Sequence, residues 1–326
     1  MTNDINITLF QPDDAPDICD IYRKTYGDDF PIPYVYIPEE IIKRYDGINH
    51  RTAIARTKDG QFAGMASMFR STPNPLMYEA GQLMIKKNFR KMGIADHLVK
   101  TIHVEFPTQV PIKGQFVEAL CNHTISQKLS EGYSFIPTAL EIEWLPTINF
   151  DSAKALERNI SLLMEFKTFN DTPHEIFLHP AYIDYVTDRC RALKAERTIK
   201  SDFVSGTRTT EKTTDIIADA GIATLSVTHA GADWPEILAH FETEAAMYRR
   251  QVRIDISHPS APWAINLMRE NGFFLGGYLP LWFEGDGLLL QKLTKTPDFS
   301  LPQFFSDEGN SVMEAVQTDY VRATSA

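Results

Sequence analysis

Residues 79–95 read EAGQLMIKKNFRKMGIA, and this stretch decides the fold. The apolar residues that end at Ile85 predict a β-strand, and the spacing of Ile94 and Leu98 predicts a helix that begins near Gly93. The first backbone N–H groups of a helix have no partner within the helix, and the helix dipole adds partial positive charge there. Such a helix start binds phosphates, so the loop is predicted to hold an anion such as a pyrophosphate.

The residues of this loop also favour a bound anion. Gly93 has no Cβ, so a phosphate can approach the backbone closely, and Ala95 is small for the same reason. Four of the six residues from Lys86 to Lys91 are basic, in a chain whose formal net charge is −11. The same local charge is equally typical of a solvated turn, and the glycine spacing therefore carries more weight than the charge.

Strand-like and helix-like patterns alternate on both sides of the loop. Apolar and polar residues alternate over Ile5–Phe10, and an Asp59-Gly60 pair predicts a hairpin between two further strands. Other predicted elements of the first half are the strands Tyr78–Ile85, Phe116–Cys121, Ala139–Leu145 and Leu162–Phe169 and the helices Gly93–Phe106 and Thr124–Glu131. The second half is predicted to contain the strands Ile222–Thr228, Val252–Ile256 and Leu288–Leu293, the helices Trp234–Arg250 and Ala261–Asn271, and one extra helix in the tail Thr294–Ala326. This order of elements indicates an α/β (α+β) protein.

The two halves of the chain look related. A length of 326 residues suggests two domains, here predicted as 1–170 and 171–326. Gly132-Tyr133 and Gly272-Phe273 both combine a helix-end glycine with an aromatic residue, and they are separated by 140 positions. We interpret this as an internal duplication. The same offset carries Arg90, Gly93 and Ala95 to Ala230, Asp233 and Pro235, so the function of the loop is predicted to be lost in the second half.

The loop from Arg90 to Ala95 resembles the R/Q-x-x-G-x-G/A loop of the GNAT superfamily of N-acetyltransferases. Phe89 occupies the usual aromatic place before the arginine, and the following helix, strand, helix and Gly132-Tyr133 occur in the order of the family. The resemblance covers roughly residues 5–145, and it covers residues 222–293 through the C-terminal elements alone. It implies two GNAT-like domains, each a mixed, largely antiparallel central sheet flanked by helices.

The resemblance also implies an acyl-CoA site, most simply for acetyl-CoA, with no metal. The pyrophosphate would lie on the loop amides, and the backbone of the preceding strand would pair with the pantetheine arm. An asparagine that the family carries at the end of the next strand has a plausible counterpart in Asn122. The implied cofactor-binding residues are, besides Asn122, Leu83, Met84, Ile85, Arg90, Lys91, Met92, Gly93, Ile94 and Ala95.

Acyl transfer to an amine requires that the amine lose its proton, and a carboxylate or an ordered water can accept it. Glu79 stands where many members of the family carry a glutamate on this strand, and a solvent-exposed edge residue is the alternative reading. Strand alternation would place Glu79, Gly81, Leu83 and Ile85 on one face, with room for substrate beside Gly81.

The proton for the leaving thiolate is harder to assign. The family usually carries a tyrosine four residues before the Gly-aromatic pair, but this position is Lys128 here and Met268 in the second half. Tyr133, Tyr78 or water could replace it, and Tyr133 is taken as the candidate acid. The aromatic residues Tyr26, Phe30, Tyr34 and Tyr36 could shape an acceptor pocket or simply pack a loop.

Composition excludes several classes of function. The acidic balance disfavours nucleic acid as the main partner and is compatible with a cationic small substrate. The three cysteines show no metal-site or disulfide spacing, which favours a reducing compartment. No apolar run approaches 18 residues, and the first ten residues lack the pattern of a secretion signal, so a cytoplasmic protein without membrane contact is expected.

Three functions therefore remain open. The leading hypothesis is an N-acyltransferase acting on a small amine, a peptide N-terminus or a lysine side chain. The second is an acyl-CoA sensor or regulatory scaffold, consistent with the missing tyrosine. The third, a tandem aminoacyl transferase that uses charged tRNA, is disfavoured by the acidic balance and by the intact CoA-type loop. The acceptor, the acyl chain length and the oligomeric state are not encoded in a recognisable way.

Overall fold

The computed structural model describes residues 5–28, 30, 32–145, 159–243 and 248–325. These residues form two compact units. Among them, unit 1 contains 5–71 and 75–117, and unit 2 contains 72–74, 118–145 and 159–325. The boundary between the two units therefore does not lie at residue 170. The domains 1–170 and 171–326 describe the two halves of the predicted duplication, and they remain a prediction.

Unit 1 is built on a sheet whose strands follow one another in chain order. The strands are β1 (Ile5–Leu9), β2 (His50–Thr57), β3 (Phe62–Phe69), β4 (Met77–Ile85) and the first residues of β5 (Gly114–Leu120). Neighbours from β1 to β4 are antiparallel, whereas β4 and β5 are parallel. The parallel pair requires a crossover, which is supplied by α3 (Ile94–Lys100) and the helical turns that continue it to Gln109.

Helices cover both faces of this sheet. One face carries α1 (Ala15–Tyr26) and α2 (Pro38–Arg44), which bury Ile54, Met65 and Met84. The other face carries α3, and its core consists of Ala53, Ala55, Ala63, Ala66, Met68, Tyr78, Ala80, Ile94, Leu98, Ile102 and Phe106. Small alanines on the strands let this helix approach the sheet closely.

The strands of unit 2 follow one another in the spatial order β7-β6-β13-β14-β12-β11-β10. These strands are β6 (Ile136–Leu145), β7 (Ile160–Thr168), β10 (Glu211–Ile217), β11 (Ile222–His229), β12 (Arg249–Asp255), β13 (Phe274–Leu279) and β14 (Gly287–Leu293). All neighbours are antiparallel except β11 and β12. A separate parallel pair is formed by β8 (His174–Phe177) and β9 (Arg197–Lys200). The helices are α4 (Ile125–Glu131), α5 (Ile183–Leu193), α6 (Trp234–Thr243), α7 (Ala261–Glu270) and α8 (Asp307–Thr324).

The expected fold class, a mixed and largely antiparallel sheet flanked by helices, is thus confirmed. One order of elements occurs twice along the chain. A strand, a helix and a parallel strand occur as β4-α3-β5 and again as β11-α6-β12. Each is followed by a helix and an antiparallel pair, β6-β7 or β13-β14.

One predicted helix is too long. The pattern suggested a helix over Trp234–Arg250, but α6 ends at Thr243 and β12 already begins at Arg249. The hydroxyl of Thr243 donates back to the carbonyls of Ala239 and His240. Arg249 then pairs with Ile222 in the parallel ladder, so sheet pairing overrides the helical pattern.

The predicted helix in the tail is present as α8. It begins after Ser306, whose side-chain oxygen accepts from the N–H of Gly309 at 3.2 Å, as an N-cap does. Across the described ranges, no helix has both the length and the apolar character that crossing a bilayer would demand.

A buried carboxyl group distinguishes the core of unit 2. Glu165 on β7 is 2% exposed, and the hydroxyl of Ser130 on α4 hydrogen-bonds to it. Burial raises the pKa of Glu165 to about 8, and the bond from Ser130 offsets only part of that rise. The carboxyl group is therefore mainly protonated at neutral pH in the folded chain, whereas it would be ionised in the unfolded chain.

This difference predicts a pH-dependent stability. Between the unfolded pKa and about pH 8 the folded chain binds more protons than the unfolded one, so the free energy of unfolding falls as the pH rises. Glu165→Gln, which is neutral and of the same shape, should remove that fall and stabilise the chain by roughly 4 kcal/mol at pH 8.5 relative to its effect at pH 5. Urea unfolding at both pH values measures the difference. An exposed carboxylate on α8 that does not act on Glu165 provides the control, since Glu314→Gln should change stability little at either pH. An equal effect of Glu165→Gln at both values would contradict the assignment.

Candidate functional site

The loop after β4 has the geometry expected of an anion site. After Ile85 the chain makes a short helical turn, Lys87–Phe89, before α3 begins at Ile94. Lys91 has φ 65° and Gly93 has φ 75°, so two residues of the loop lie in the left-handed region. Such reversals turn successive backbone N–H groups toward one side of the chain, which creates a concave site for anions.

The residues of this loop lie largely at the surface. Arg90, Lys91 and Met92 are exposed, and Gly93 and Ala95 are half-buried. The N–H of Arg90 donates to the carbonyl of Lys87 at 3.3 Å, and no side chain of the described residues caps the start of α3. The anion site predicted from the sequence stays a prediction.

The basic residues near the loop have different roles. Lys86 donates to a carboxylate oxygen of Asp17 at 2.9 Å and lies 3.8 Å from Asp20, so it ties the loop to α1. Arg90 donates through Nε to the carbonyl of Ile85 at 3.2 Å while its side chain remains exposed. Arg90 and Lys91 are therefore the cations best placed to face an incoming phosphate.

The edge of β4 is partly open. Its parallel ladder with β5 runs from Met77 to Glu79, and beyond Glu79 the residues of β4 have ladder partners on β3 alone, as far as the chain is described. The outward N–H and C=O groups near Leu83 and Ile85 are therefore available to an extended ligand, which can bind such an edge as an added strand would.

The strand alternation predicted for β4 is wrong. Gly81 pairs with Ser67 and Met84 pairs with Met65, so two residues of β4 lie opposite one residue of β3. This bulge is centred on Gln82, which has φ 56°, and it exchanges the two faces of the strand. Leu83 and Ile85 consequently pack on the α3 face together with Tyr78 and Ala80, whereas Met84 packs on the α1 face. Glu79 and Gly81 precede the bulge and face away from Tyr78 and Ala80.

Glu79 lies beside Gly81. A Cβ built on Gly81 would have a single described neighbour within 4 Å, Oε1 of Glu79 at 3.8 Å, which is ordinary van der Waals contact, so the space on this side of Gly81 is open. Burial raises the pKa of Tyr34, the nearby Arg44 opposes that rise, and the charge of Glu79 adds to it. Tyr34 is therefore a neighbour of the candidate base, and Arg44 is a neighbour of Tyr34.

The four aromatic residues singled out in the sequence separate into two roles. Tyr26 and Phe30 stack with ring centroids 4.7 Å apart, and the hydroxyl of Tyr36 donates to the carbonyl of Gly27 at 2.8 Å and accepts from the N–H of Phe30 at 3.1 Å. Tyr26, Phe30 and Tyr36 therefore pack together and close a loop. Tyr34, whose ring lies 4.4 Å below the guanidinium of Arg44, is the one that faces the region of Glu79.

The register predicted for α4 requires a correction. Gly132 has helical φ (−58°), and the residue in the left-handed region is Ser134, which is followed by the buried Phe135. Ser130 stands four residues before Ser134, whereas Lys128 stands four residues before Gly132. Because serine does not normally occupy the left-handed region, the sequence alone gave no reason to choose it over Gly132.

Ser130 does not supply an accessible acid, because it is buried and its hydroxyl donates to Glu165. Lys128 is exposed, with its ammonium 4.9 Å from the ring centroid of Phe305. Tyr78 is fully buried on the face opposite Glu79. Tyr133 is half-buried at the end of α4 and belongs to unit 2, so it stays a prediction.

Asn122 also belongs to unit 2, at the turn that follows β5. Its Oδ1 atom is buried and has no hydrogen-bond partner among the described residues. A polar atom in that state fits a ligand contact, although the predicted contact with a cofactor is untested.

The equivalent loop in unit 2 is filled by the chain itself. The N–H of Ala232 donates to the carbonyl of Arg208 at 2.7 Å, and the N–H of Gly231 donates to the hydroxyl of Thr210 at 3.0 Å. A Cβ built on Gly231 would lie 2.0 Å from the carbonyl oxygen of Arg208. Asp233 accepts from both the N–H and the hydroxyl of Thr210 at 2.7 Å, so the start of α6 presents a carboxylate instead of open amides.

Within the described ranges, no group of three or more His, Cys, Asp or Glu side chains is arranged to hold a metal ion.

Comparison with known proteins gives matches by structure. No protein-family model matches the chain, and no curated protein matches it by sequence. The spermidine/spermine N-acetyltransferase of Vibrio cholerae is 12% identical, with a TM-score of 0.41 over 51% of this chain and 94% of its own. The yncA protein of Salmonella typhimurium, solved with its cofactor acetyl-CoA, is 12% identical, with a TM-score of 0.42 over 52% of this chain and 96% of its own. The matched structures are GNAT acetyltransferases, the superfamily that the loop resembles, and each spans about half of this chain.

Proposed function

We propose that this chain is an N-acyltransferase that moves an acetyl group from acetyl-CoA to an amine. The observation that carries the proposal is the exposed loop around Gly93, which two left-handed residues bend before α3 and which no side chain of the described residues caps. A pyrophosphate is the natural ligand of such a site, because its oxygens accept several N–H bonds at once and its charge is favoured at a helix start.

The residues present fit the cofactor. The amides of Arg90 to Ala95 would hold the pyrophosphate, Arg90 and Lys91 would neutralise part of its charge, and the open edge of β4 at Leu83–Ile85 would pair with the amide-containing arm. When bound, acetyl-CoA supplies the activated acyl group as a thioester.

Glu79 is the proposed general base. Its carboxylate can accept the proton of the attacking amine, either directly or through a water, and Gly81 leaves space beside it for the acceptor. Tyr34 and Arg44 would border the acceptor. The proton that the leaving thiolate takes up is proposed to come from Tyr133 or from water. A small amine or a peptide amine remains the proposed acceptor class.

One observation favours a second function. The position of the family's tyrosine is held by Ser130, which is buried against Glu165. A chain that binds acyl-CoA without transferring the acyl group would act as a sensor or regulatory scaffold. Product formation with a panel of amines separates the two functions, since only the transferase consumes acetyl-CoA.

We also propose a cytoplasmic location. Cys19, Cys121 and Cys190 are free and buried, a state that a reducing compartment maintains.

The loop is tested by a matched pair of substitutions. Asp and Asn both tolerate left-handed φ, so Gly93→Asp and Gly93→Asn should fold alike, but the Asp side chain brings a negative charge to the phosphate. We expect acetyl-CoA to bind at least about 100-fold more weakly to Gly93→Asp than to Gly93→Asn, since two like charges at 4 Å cost roughly 4 kcal/mol at a protein surface. Isothermal titration calorimetry measures both constants. Equal affinities would remove the pyrophosphate from this loop.

The filled loop of unit 2 predicts the stoichiometry. Because the carbonyl of Arg208 and the hydroxyl of Thr210 already engage its amides, unit 2 should not bind acetyl-CoA. The same titration should therefore give one molecule per chain for the wild type and none for Gly93→Asp. Two molecules per chain would show that unit 2 retains a site.

The base is tested by Glu79→Gln, which preserves size but cannot accept a proton. We expect kcat to fall about 100-fold or more while the affinity for acetyl-CoA stays within about 3-fold, because a general base acts on the amine and not on the cofactor. Steady-state kinetics with a reactive amine and calorimetry give the two numbers. Glu39→Gln, an exposed carboxylate on α2, should leave both unchanged. Normal turnover in Glu79→Gln would exclude this residue from the mechanism.

A further inference from the structure

The bulge of β4 lies between the candidate base and the loop that would hold the cofactor. Glu79 and Gly81 precede it, and the open edge of Leu83–Ile85 follows it. Gln82, at its centre, keeps a left-handed backbone that glycine would adopt without strain. A non-glycine residue holds such a conformation only where its surroundings fix it.

The side chain of Gln82 shows what fixes it. Its Oε1 accepts a hydrogen bond from Nε2 of His50 at 3.1 Å and another from the hydroxyl of Tyr45 at 3.3 Å. We name these three residues the Gln82 clamp. Both donors are buried, with His50 at 7% and Tyr45 at 5% exposure.

The two donors are themselves held in place. The rings of Tyr45 and His50 stack with centroids 3.7 Å apart, and His50 stacks on Phe69 of β3 at 4.9 Å. The N–H groups of Ile48, Asn49 and His50 all donate to Asp46, so the turn between α2 and β2 is also fixed. The clamp thus connects the bulge to α2 and to β2, the elements that flank it in unit 1.

The charge state of the clamp suits this role. Burial lowers the pKa of His50 to about 4, with Gln82 and Asp46 opposing the fall. The imidazole is therefore neutral near pH 7, and because Oε1 of Gln82 is an acceptor, the ring proton must reside on Nε2.

We infer that Gln82 is a positioning residue for acyl transfer, held by His50 and Tyr45 so that the bulge sets the spacing between Glu79 and the cofactor edge of β4. The inference rests on the proposed function. Without the clamp the additional residue could relax into the ladder, and Leu83 and Ile85 would then turn toward the other face. Because the clamp lies outside the loop from Arg90 to Ala95, its loss should impair transfer more than cofactor binding.

Three single variants and the double variant Gln82→Gly/His50→Phe test the clamp. Gln82→Gly keeps the left-handed backbone accessible but removes the acceptor, His50→Phe keeps the stacked ring but removes its donor, and Tyr45→Phe removes one hydroxyl. We expect Gln82→Gly and His50→Phe each to lower kcat about 10-fold or more, as small misplacements of reacting groups do, with acetyl-CoA affinity within about 3-fold of wild type. The double variant should be no worse than the poorer single variant, because both remove one interaction.

The outcomes separate the inference from the proposed function. Suppose that the wild-type chain binds acetyl-CoA and acetylates an amine. The inference alone would then be overturned if the single variants keep a normal kcat, or if the losses of kcat add in the double variant. A wild-type chain that does not bind acetyl-CoA would overturn both. If His50→Phe or Gln82→Gly fails to fold, Tyr45→Phe, which removes a single oxygen atom, tests the clamp in its place. A kcat equal to wild type in Tyr45→Phe would count against the clamp.

Discussion

The structure depends on where exposed backbone N–H groups find their partners. A helix start and a strand edge both leave main-chain donors that must be satisfied by protein, water or ligand. In unit 2 the chain satisfies them itself, because the carbonyl of Arg208 and the hydroxyl of Thr210 engage the loop before α6. In unit 1 no side chain of the described residues caps the start of α3, and the loop around Gly93 is exposed. The two similarly ordered segments therefore differ in what their helix starts leave for water or a ligand to satisfy.

The second constraint is the periodicity of β4. A regular strand would place Glu79 and Leu83 on one face, where both would compete for the space beneath α1 and α2. The bulge at Gln82 places these two residues on different faces. Leu83 and Ile85, which follow the bulge, pack on the face of α3, whereas the carboxylate of Glu79 stays on the opposite face. The additional residue in the bulge therefore lets β4 pack against α3 on one face and present Glu79 on the other.

Sequence reasoning identified the loop, the helix that follows it and the mixed sheet, because apolar periodicity and a required glycine are local signals. It failed where the decisive feature was a residue in an unfavourable conformation. Gln82 and Ser134 both have positive φ, and no composition rule marks a glutamine or a serine for that region. It also failed at α6, whose end is set by the pairing of Arg249 with Ile222, a contact between residues distant in sequence.

The replacement of the family's tyrosine by Ser130 is compatible with catalysis when the two proton transfers are compared. A lysine-like amine has a pKa near 10.4, so at pH 7 its deprotonation costs about 4.6 kcal/mol. A thiol has a pKa near 8.5, so leaving as a thiolate instead of a thiol costs about 2 kcal/mol at the same pH. Removing the amine proton is thus the larger requirement, and water can protonate the thiolate after it leaves. A chain that keeps Glu79 beside an open space and buries Ser130 against Glu165 has retained the group that meets the larger requirement.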